Sequence, residues 1–380
     1  MHMRRIVLAT LLGSFLVTVG YVAGGLGWFT TDSKLSFPEI LVADPTPVPK
    51  PLQKYALDEL RDYPFQASKI QMKEMVSDKE GYSEYLFSFT TVGKTMSGLL
   101  TIPLPLPEDL NNLTTIVMVR GYVPPESYTP GIGTSPAARY FAKQGFVTLA
   151  PDFFGFGTSD PEPVDEWEAR FIKPIVVAEL IKSIEQNGVS GDKVAIPPSN
   201  RIGIWAHSNG GQITLSALEV MGESIPATLW APVTAPFPYS LLFYGDEVAD
   251  EGKQQRAWIA MFEQIYNAEN FSLTQHLDLL KGPMQIHHGT NDEAALKTWS
   301  DEFVDKLEIE NERRENQIKL LKSATQSADL ETKLSTSSAL LQPIVYEYFV
   351  YPGADHNLRP VENWNLAVSR DLAFFQQELQ

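Results

Sequence analysis

The sequence predicts an α/β fold in which parallel strands alternate with helices that cover both faces of the sheet, and three observations predict it. Short runs of β-branched and aromatic residues recur along the chain with helical stretches between them, a rhythm that calls for parallel crossovers. One run leads into Trp205-Ala206-His207-Ser208-Asn209-Gly210-Gly211, a serine turn that opens a helix. Two later runs end in turns carrying Asp292 and His356. Ligands of such sheets sit at the carboxyl ends of the strands, where all three residues fall.

In chain order the expected strands are 85–89 and 98–102, an early pair, then 115–119, 146–150, 201–206, 227–231, 284–288 and 344–350. The helix before Gly145 is well marked. Ser135 is a fitting N-cap, Pro136 suits the first turn, and Gly145 stands just past the end.

A serine hydroxyl is a poor nucleophile unless it is exposed on a sharp turn with small neighbours and backbone N–H groups close by. Ser208 meets those demands in a strand–turn–helix context of the G-x-S-x-G type, with Ala206 in place of the first glycine. The plain alternative is a glycine-rich helix start carrying an incidental serine. The order Ser208, Asp292, His356 weighs against it, because a nucleophile, an orienting acid and a base are expected in that succession. His356 would take the proton of Ser208 and pass it to the leaving group, and Asp292 would orient the imidazole. Asp355 is the rival acid, but an adjacent residue in a turn seldom reaches back to the ring. The other histidines have no evident part in the chemistry. His207 occupies a variable position of the turn, and His287 and His288, consecutive in a strand, point to opposite faces.

Four stretches together resemble the α/β-hydrolases, within them the serine hydrolases related to the prolyl oligopeptidase (S9) catalytic domain and to dienelactone hydrolases. They are Ala206-His207-Ser208-Asn209-Gly210-Gly211, His288-Gly289-Thr290-Asn291-Asp292, Tyr351-Pro352-Gly353-Ala354-Asp355-His356, and the segment 140–152 with its continuation Gly155-Phe156-Gly157-Thr158-Ser159. The resemblance spans roughly residues 82–380 and implies the α/β-hydrolase fold, a mostly parallel eight-stranded sheet with helices on both faces. It also implies an oxyanion hole built from the backbone N–H groups of Asn209 and, in the loop Arg120-Gly121-Tyr122, of Tyr122. A histidine is common in that family where Arg120 stands; pairing of Arg120 with a carboxylate such as Asp152 is the simplest account of it.

Composition bounds the rest. A chain of 380 residues with 43% hydrophobic content can bury one large core, and a net charge of −17 argues against a nucleic-acid partner. With no cysteine and no histidine–acid spacing of the metalloenzyme kind, neither a metal nor a cofactor is expected. Arg4-Arg5 precede an uncharged, largely apolar run over 6–31 that suits either a membrane anchor or a cleaved signal peptide, with Val22-Ala23-Gly24 offering small residues for cleavage. Both readings export the catalytic part. Residues 1–31 are thus read as anchor or signal, 32–65 as a proline-rich linker, and 66–380 as the catalytic domain. Within that domain, 232–282 is an aromatic-rich candidate for a small helical cap over the site, and 307–342 is a charged, then Ser/Thr-rich insertion.

The expected activity is hydrolysis of small carboxylic esters through an acyl-enzyme, with an S9-type serine peptidase as the alternative enzyme and a catalytically silent binding protein as the alternative of another class. About eighty residues lie between the apolar run and strand 115–119, too few for the β-propeller that admits peptides in the resembling oligopeptidases. The full-length chain should fractionate with membranes and need detergent, while a chain starting near Pro51 should be soluble and equally active. A mature chain beginning near Gly24 or Gly25 would establish cleavage instead.

Overall fold

Ten strands pair into one open sheet in the computed structural model, which describes residues 49–192, 194–245, 250–324 and 341–379. They are β1 (Ile70–Lys79), β2 (Tyr82–Thr91), β3 (Lys94–Pro103), β4 (Thr115–Val119), β5 (Val147–Pro151), β6 (Val189–Ser190), β7 (Ile202–His207), β8 (Ala227–Trp230), β9 (Met284–Gly289) and β10 (Tyr346–Tyr351). The order across the sheet is β10-β9-β8-β7-β4-β5-β3-β2-β1-β6. From β10 to β5 every pairing is parallel, and β5-β3, β3-β2 and β2-β1 are antiparallel. All eight expected strands are present, and two more were not foreseen. β1 carries Lys73, Glu74, Asp78 and Lys79 and is broken by two register shifts against β2, which erase the period-2 pattern. β6 is only two residues long, too short to carry a pattern.

Nine helices accompany the strands among the described residues: α1 (Leu57–Leu60), α2 (Ser135–Lys143), α3 (Glu166–Phe171), α4 (Lys173–Asn187), α5 (Asn209–Met221), α6 (Tyr239–Gly245), α7 (Lys253–Glu263), α8 (Lys297–Ala324) and α9 (Val361–Glu378). Alternate residues of β4 show how they cover the sheet. Val117 and Val119 face a core shared with α4 and α5, while Ile116 and Met118 face a second core shared with α2 and α9. Both faces are therefore dry, as a central parallel strand requires. Helix α2 begins at Ser135 itself with Thr134 in the cap position, one residue earlier than the expected cap, and Pro136 and Gly145 (φ 93°) hold the places foreseen for them.

The domain begins earlier than 66. Leu52, Tyr55, Ala56, Leu57 and Leu60 are buried in the main core, the Leu52 N–H donates to the Tyr266 hydroxyl (3.0 Å), and the Tyr55 hydroxyl donates to Glu168 (2.5 Å). The prolines up to Pro51 gave this stretch the look of a linker, whereas its apolar residues recur at helical spacing and dock. Farther on, Glu179 is fully buried on α4 and accepts from the Gln66 N–H (3.0 Å), the Thr91 hydroxyl (2.6 Å) and the Val92 N–H (2.9 Å), tying the segment before β1 to the β2–β3 turn. The expected segment 1–31 and the first half of the linker, 32–48, lie outside the described residues. Among the described residues, no helix is long and apolar enough to cross a membrane.

Segment 232–282 does form helices, but most of its rings pack inward. Phe237, Trp258, Phe262 and Tyr266 form one aromatic cluster with Trp167, Phe171 and Phe271, the Trp167 and Trp258 rings stacked at 3.5 Å between centroids. Their role is core, not an apolar lining. The charged segment from 307 is likewise no separate insertion at its start. It continues α8, and Arg314 is buried there, bonded to Glu310 and to the carbonyls of Leu277, Leu280 and Gln342. Residues 325–340, the Ser/Thr-rich part, lie outside the described residues.

One buried group opposes folding. Glu219 on α5 is sealed from solvent, neither carboxylate oxygen meets a donor among the described residues, and burial followed by the nearby Asp278 charge pushes its pKa well up. A carboxyl raised in the folded state costs nothing below its unfolded pKa of about 4.3 and takes away stability progressively as pH rises above that value. Glu219→Met should therefore be more stable than the parent by about 1–3 kcal/mol at pH 8 and by much less at pH 4. Equal differences at the two pH values in urea unfolding would refute this account.

Candidate active site

Strand β7 ends at His207, and the chain turns at once into α5 through Ser208, whose φ of 57° and ψ of −125° lie where L residues are strained. Such a conformation costs on the order of 1–3 kcal/mol and persists only where its surroundings over-determine it. Here the Ser208 N–H donates to the Trp230 carbonyl (2.9 Å), and the Ser208 carbonyl accepts from Gly211 (2.9 Å) and Val233 (3.1 Å). Two glycines permit the close packing. A Cβ on Gly210 would run into the Val119 carbonyl, and one on Gly121 would stand 2.7 Å from the Ser208 Cβ and 3.2 Å from its Oγ. Ala206, at the place of the missing glycine, is fully buried without conflict. The loop Arg120-Gly121-Tyr122 thus lies against the serine.

His356, in the loop after β10, meets Asp292, in the loop after β9. Its Nδ1 stands 2.8 Å from Oδ2 and 3.0 Å from Oδ1 of Asp292. Facing a carboxylate, Nδ1 carries the proton and donates, which leaves Nε2 with a lone pair. Asp292 also accepts from the N–H groups of Ala294 and Ala295, both at 2.9 Å. Burial alone would raise its pKa; the bonds from His288 and His356 outweigh burial and hold the carboxyl far below the ordinary carboxylate range. The rival Asp355 accepts from the Asn357 and Arg359 N–H groups (2.9 Å each) and so closes its own turn.

Two histidines flank this pair, and a third points away from it. His207 donates from Nε2 to the His356 carbonyl (2.9 Å), its ring 4.6 Å from that of His356 between centroids, and so ties the elbow to the histidine loop. Burial and then the neighbouring His356 lower the His207 pKa to about 4. His287 and His288 do point to opposite faces. His287 contacts Tyr351 (2.7 Å) and Asp371 (3.0 Å), while His288 turns toward the site. Its Nε2 faces two acceptors, the Ala295 carbonyl (2.8 Å) and Oδ2 of Asp292 (3.1 Å), and its Nδ1 faces the Ser300 hydroxyl (2.8 Å). Nε2 is therefore the protonated nitrogen, and Ser300 donates to Nδ1. Sequence reasoning missed this contact; the only sign of it was the four-residue interval from His288 to Asp292.

Asn209 is the first residue of α5, so its N–H has no acceptor within the helix and lies at the positive end of the helix dipole. Tyr122 follows Gly121 with an exposed side chain. Arg120 is buried and does turn toward Asp152, but to its main-chain carbonyl (2.8 Å) rather than its carboxylate, whose oxygens accept from Ser97 and Tyr128 at 2.5 Å. The guanidinium is also stacked near Phe156 (4.3 Å) and Tyr128 (4.8 Å). Two clefts flank the elbow. One of about 200 Å³ is lined by Asn209 and Gln212; the other, of about 360 Å³, is lined by His207, Trp230 and Asn357. Among the described residues no cluster of three or more His, Asp or Glu could hold a metal ion.

No family model matches the chain, and no curated protein matches it in sequence. Solved structures do match in shape. Acetyl xylan esterase 1 from Thermoanaerobacterium sp. JW/SL YS485 is similar with a TM-score of 0.52 at 14% identity, over 88% of this chain and 95% of the other. The acetyl xylan esterase from Paenibacillus sp. R4 gives 0.53 at 12% identity over 88% and 96%. A puromycin-hydrolyzing peptidase of Mycobacterium tuberculosis gives 0.50 at 16% identity over 82% of this chain and 39% of that one. Together with the strand order, these likenesses establish the α/β-hydrolase fold for this chain.

The bond from His288 to Asp292 can be tested on the chemistry that the site supports. A hydrogen bond to a charged group contributes about 1.5–3 kcal/mol, so His288→Leu should lower kcat by roughly tenfold to hundredfold with KM little changed. His288→Gln, whose amide can still donate, should lose less. Equal losses in the two variants, or a loss confined to KM, would remove His288 from this role.

Proposed function

We propose that the chain is an exported serine hydrolase that cleaves carboxylic esters through an acyl-enzyme. The observation that carries this reading is the Asp292–His356 pair, joined at 2.8 and 3.0 Å and tied through His207 to the elbow that bears Ser208. His356 Nε2 takes the Ser208 proton as Oγ attacks the ester carbonyl, and the backbone N–H groups of Asn209 and Tyr122 receive the oxyanion. Collapse of the tetrahedral adduct expels the alcohol, which leaves with the proton from His356. Water, deprotonated by the same nitrogen, then attacks the acyl-serine and frees the acid. Asp292, anionic throughout, orients the ring and stabilises its protonated form.

Esters are favoured over peptides on two grounds. The likeness to the acetyl xylan esterases runs over nearly the whole of both chains, whereas that to the peptidase covers 39% of the latter. An amide also demands protonation of a poorer leaving group, so the same site works faster on esters. The apolar stretch 6–31 behind Arg4-Arg5 supports an extracytoplasmic location for the catalytic part.

Ser208→Ala should abolish turnover without altering the fold, and a fluorophosphonate probe should label the parent and not the variant. Loss of His356 should be about as severe as loss of Ser208, and loss of Asp292 somewhat less so, because cooperating groups fail as a unit. For the parent, kcat/KM on short acyl esters should exceed that on aminoacyl anilides by at least about a hundredfold, equivalent to roughly 2.7 kcal/mol. Comparable rates on the two classes would move the assignment to a peptidase of the S9 kind.

A further inference from the structure

The cleft on the Asn209 side of the elbow holds a cation without a counter-ion among the described residues. Arg170, near the end of α3, is half-buried there, and its one hydrogen bond among those residues goes from NH2 to the neutral Gln212 Oε1 (2.8 Å), on the first turn of the helix that Ser208 introduces. The guanidinium is held in place from behind. Trp167 and Phe171, one turn apart on α3, are locked in the aromatic cluster with Phe237 and Phe262, and Asp165 caps the helix by accepting from the Trp167 and Glu168 N–H groups. Burial lowers the Arg170 pKa to about 10 against the weaker opposing effect of the Tyr244 phenol, and Lys173 brings a second positive charge to the same cleft. The two acids at the cleft are otherwise disposed: Glu162 is 3.6 Å from Lys173, and Glu166 is exposed at the start of α3. In a chain of net charge −17, a desolvated guanidinium left without an acid is costly unless something anionic arrives.

We propose that Arg170 is the specificity residue of this site, receiving a free carboxylate of the substrate, so that the preferred substrates are esters of short chains that carry a second, ionised carboxyl group. This rests on the hydrolase reading for its chemistry and deepens it. Asn209, the residue after Ser208, lines the same cleft, and on this reading the substrate chain runs from Arg170 past Asn209 to the nucleophile. Arg170 offers a planar fork of donors with Gln212 occupying one of them, and a carboxylate fits the remainder in the bidentate manner that a lysine could not reproduce. A cavity of about 200 Å³ limits the carboxylate-bearing arm to a few carbons.

Two measurements test this. First, kcat/KM is compared for monoethyl and diethyl glutarate, and for 4-acetoxybutanoate and its methyl ester, which place the carboxylate on the acyl and the alcohol side respectively. In at least one pair the anion should be preferred by about thirtyfold or more, and Arg170→Gln should bring that ratio close to one, with Arg170→Lys between. A role in folding alone would lower both members of a pair together and leave the ratio standing, which overturns the proposal. Second, calorimetry on Ser208→Ala should detect the monoanion and not the diester, and the added Arg170→Gln change should abolish that binding. If esters are hydrolysed through Ser208 with no preference for the anion, the carboxylate site is wrong and the esterase reading stands. If no ester is hydrolysed while the monoanion still binds through Arg170, the site stands and the esterase reading falls.

Discussion

The left-handed backbone at Ser208 is the constraint on which the rest of the site depends. A serine at φ 57° persists only because its neighbours leave it no alternative, and those neighbours come from across the sheet. The Trp230 carbonyl at the end of β8 holds its N–H, while the chain beyond β8 donates from Val233 to its carbonyl. On the other side, the end of β4 comes so near that a Cβ at 210 would strike the Val119 carbonyl, and the loop beyond it so near that a Cβ at 121 would stand 2.7 Å from that of Ser208. The elbow is therefore a property of three adjacent parallel strands, β8-β7-β4, and of their ends lying level. Any change in their register would move Ser208 and the N–H groups of Asn209 and Tyr122 together.

A second requirement is electrostatic. The acid of the site is buried, and burial works against its negative charge. Four donors overcome that: the ring nitrogens of His356 and His288 and the N–H groups of Ala294 and Ala295. Since two of them are backbone groups and His288 is itself fixed by Ser300, the carboxylate is preorganised before any substrate arrives. The same logic separates Asp292 from Asp355. Both lie close to His356 in the folded chain, but Oδ1 of Asp355 accepts within its own turn, and it is Asp292 that meets the ring.

Legibility in the sequence followed the strength of local signals. The strands from β2 through β10 other than β6, and the pairing of Asp292 with His356, were readable because β-branched runs, turn residues and chain order all pointed one way. β1 was hidden by its charges and bulges, and the N-terminal docking segment by the prolines before it, since composition there speaks for a linker while burial is decided by distant partners such as Tyr266. The aromatic residues of 232–282 misled for a related reason: a ring looks the same in sequence whether it lines a pocket or fills a core. Only the centroid distances to Trp167 and Phe171 decide for the core. Neither the His288 contact nor the lack of an acid beside Arg170 among the described residues leaves a mark in composition, because each is defined by what side chains far apart in the chain do or fail to supply.

His207 shows how these constraints meet. It sits in the elbow at a position that the proposed chemistry leaves free, yet its ring lies 4.6 Å from that of His356, which becomes positive in the proposed reaction. Two unit charges about 4 Å apart at a protein surface repel by about 4 kcal/mol, enough to suppress a His356 imidazolium. Burial removes that conflict by keeping His207 neutral down to about pH 4. As a neutral ring it can still donate from Nε2 to the His356 carbonyl, so it fixes the histidine loop without opposing its charge. A lysine or arginine in its place would keep a donor but bring a permanent charge beside His356, and an apolar residue would avoid the charge but release the loop. Histidine, desolvated below its ordinary pKa, satisfies the mechanical and the electrostatic demand at once.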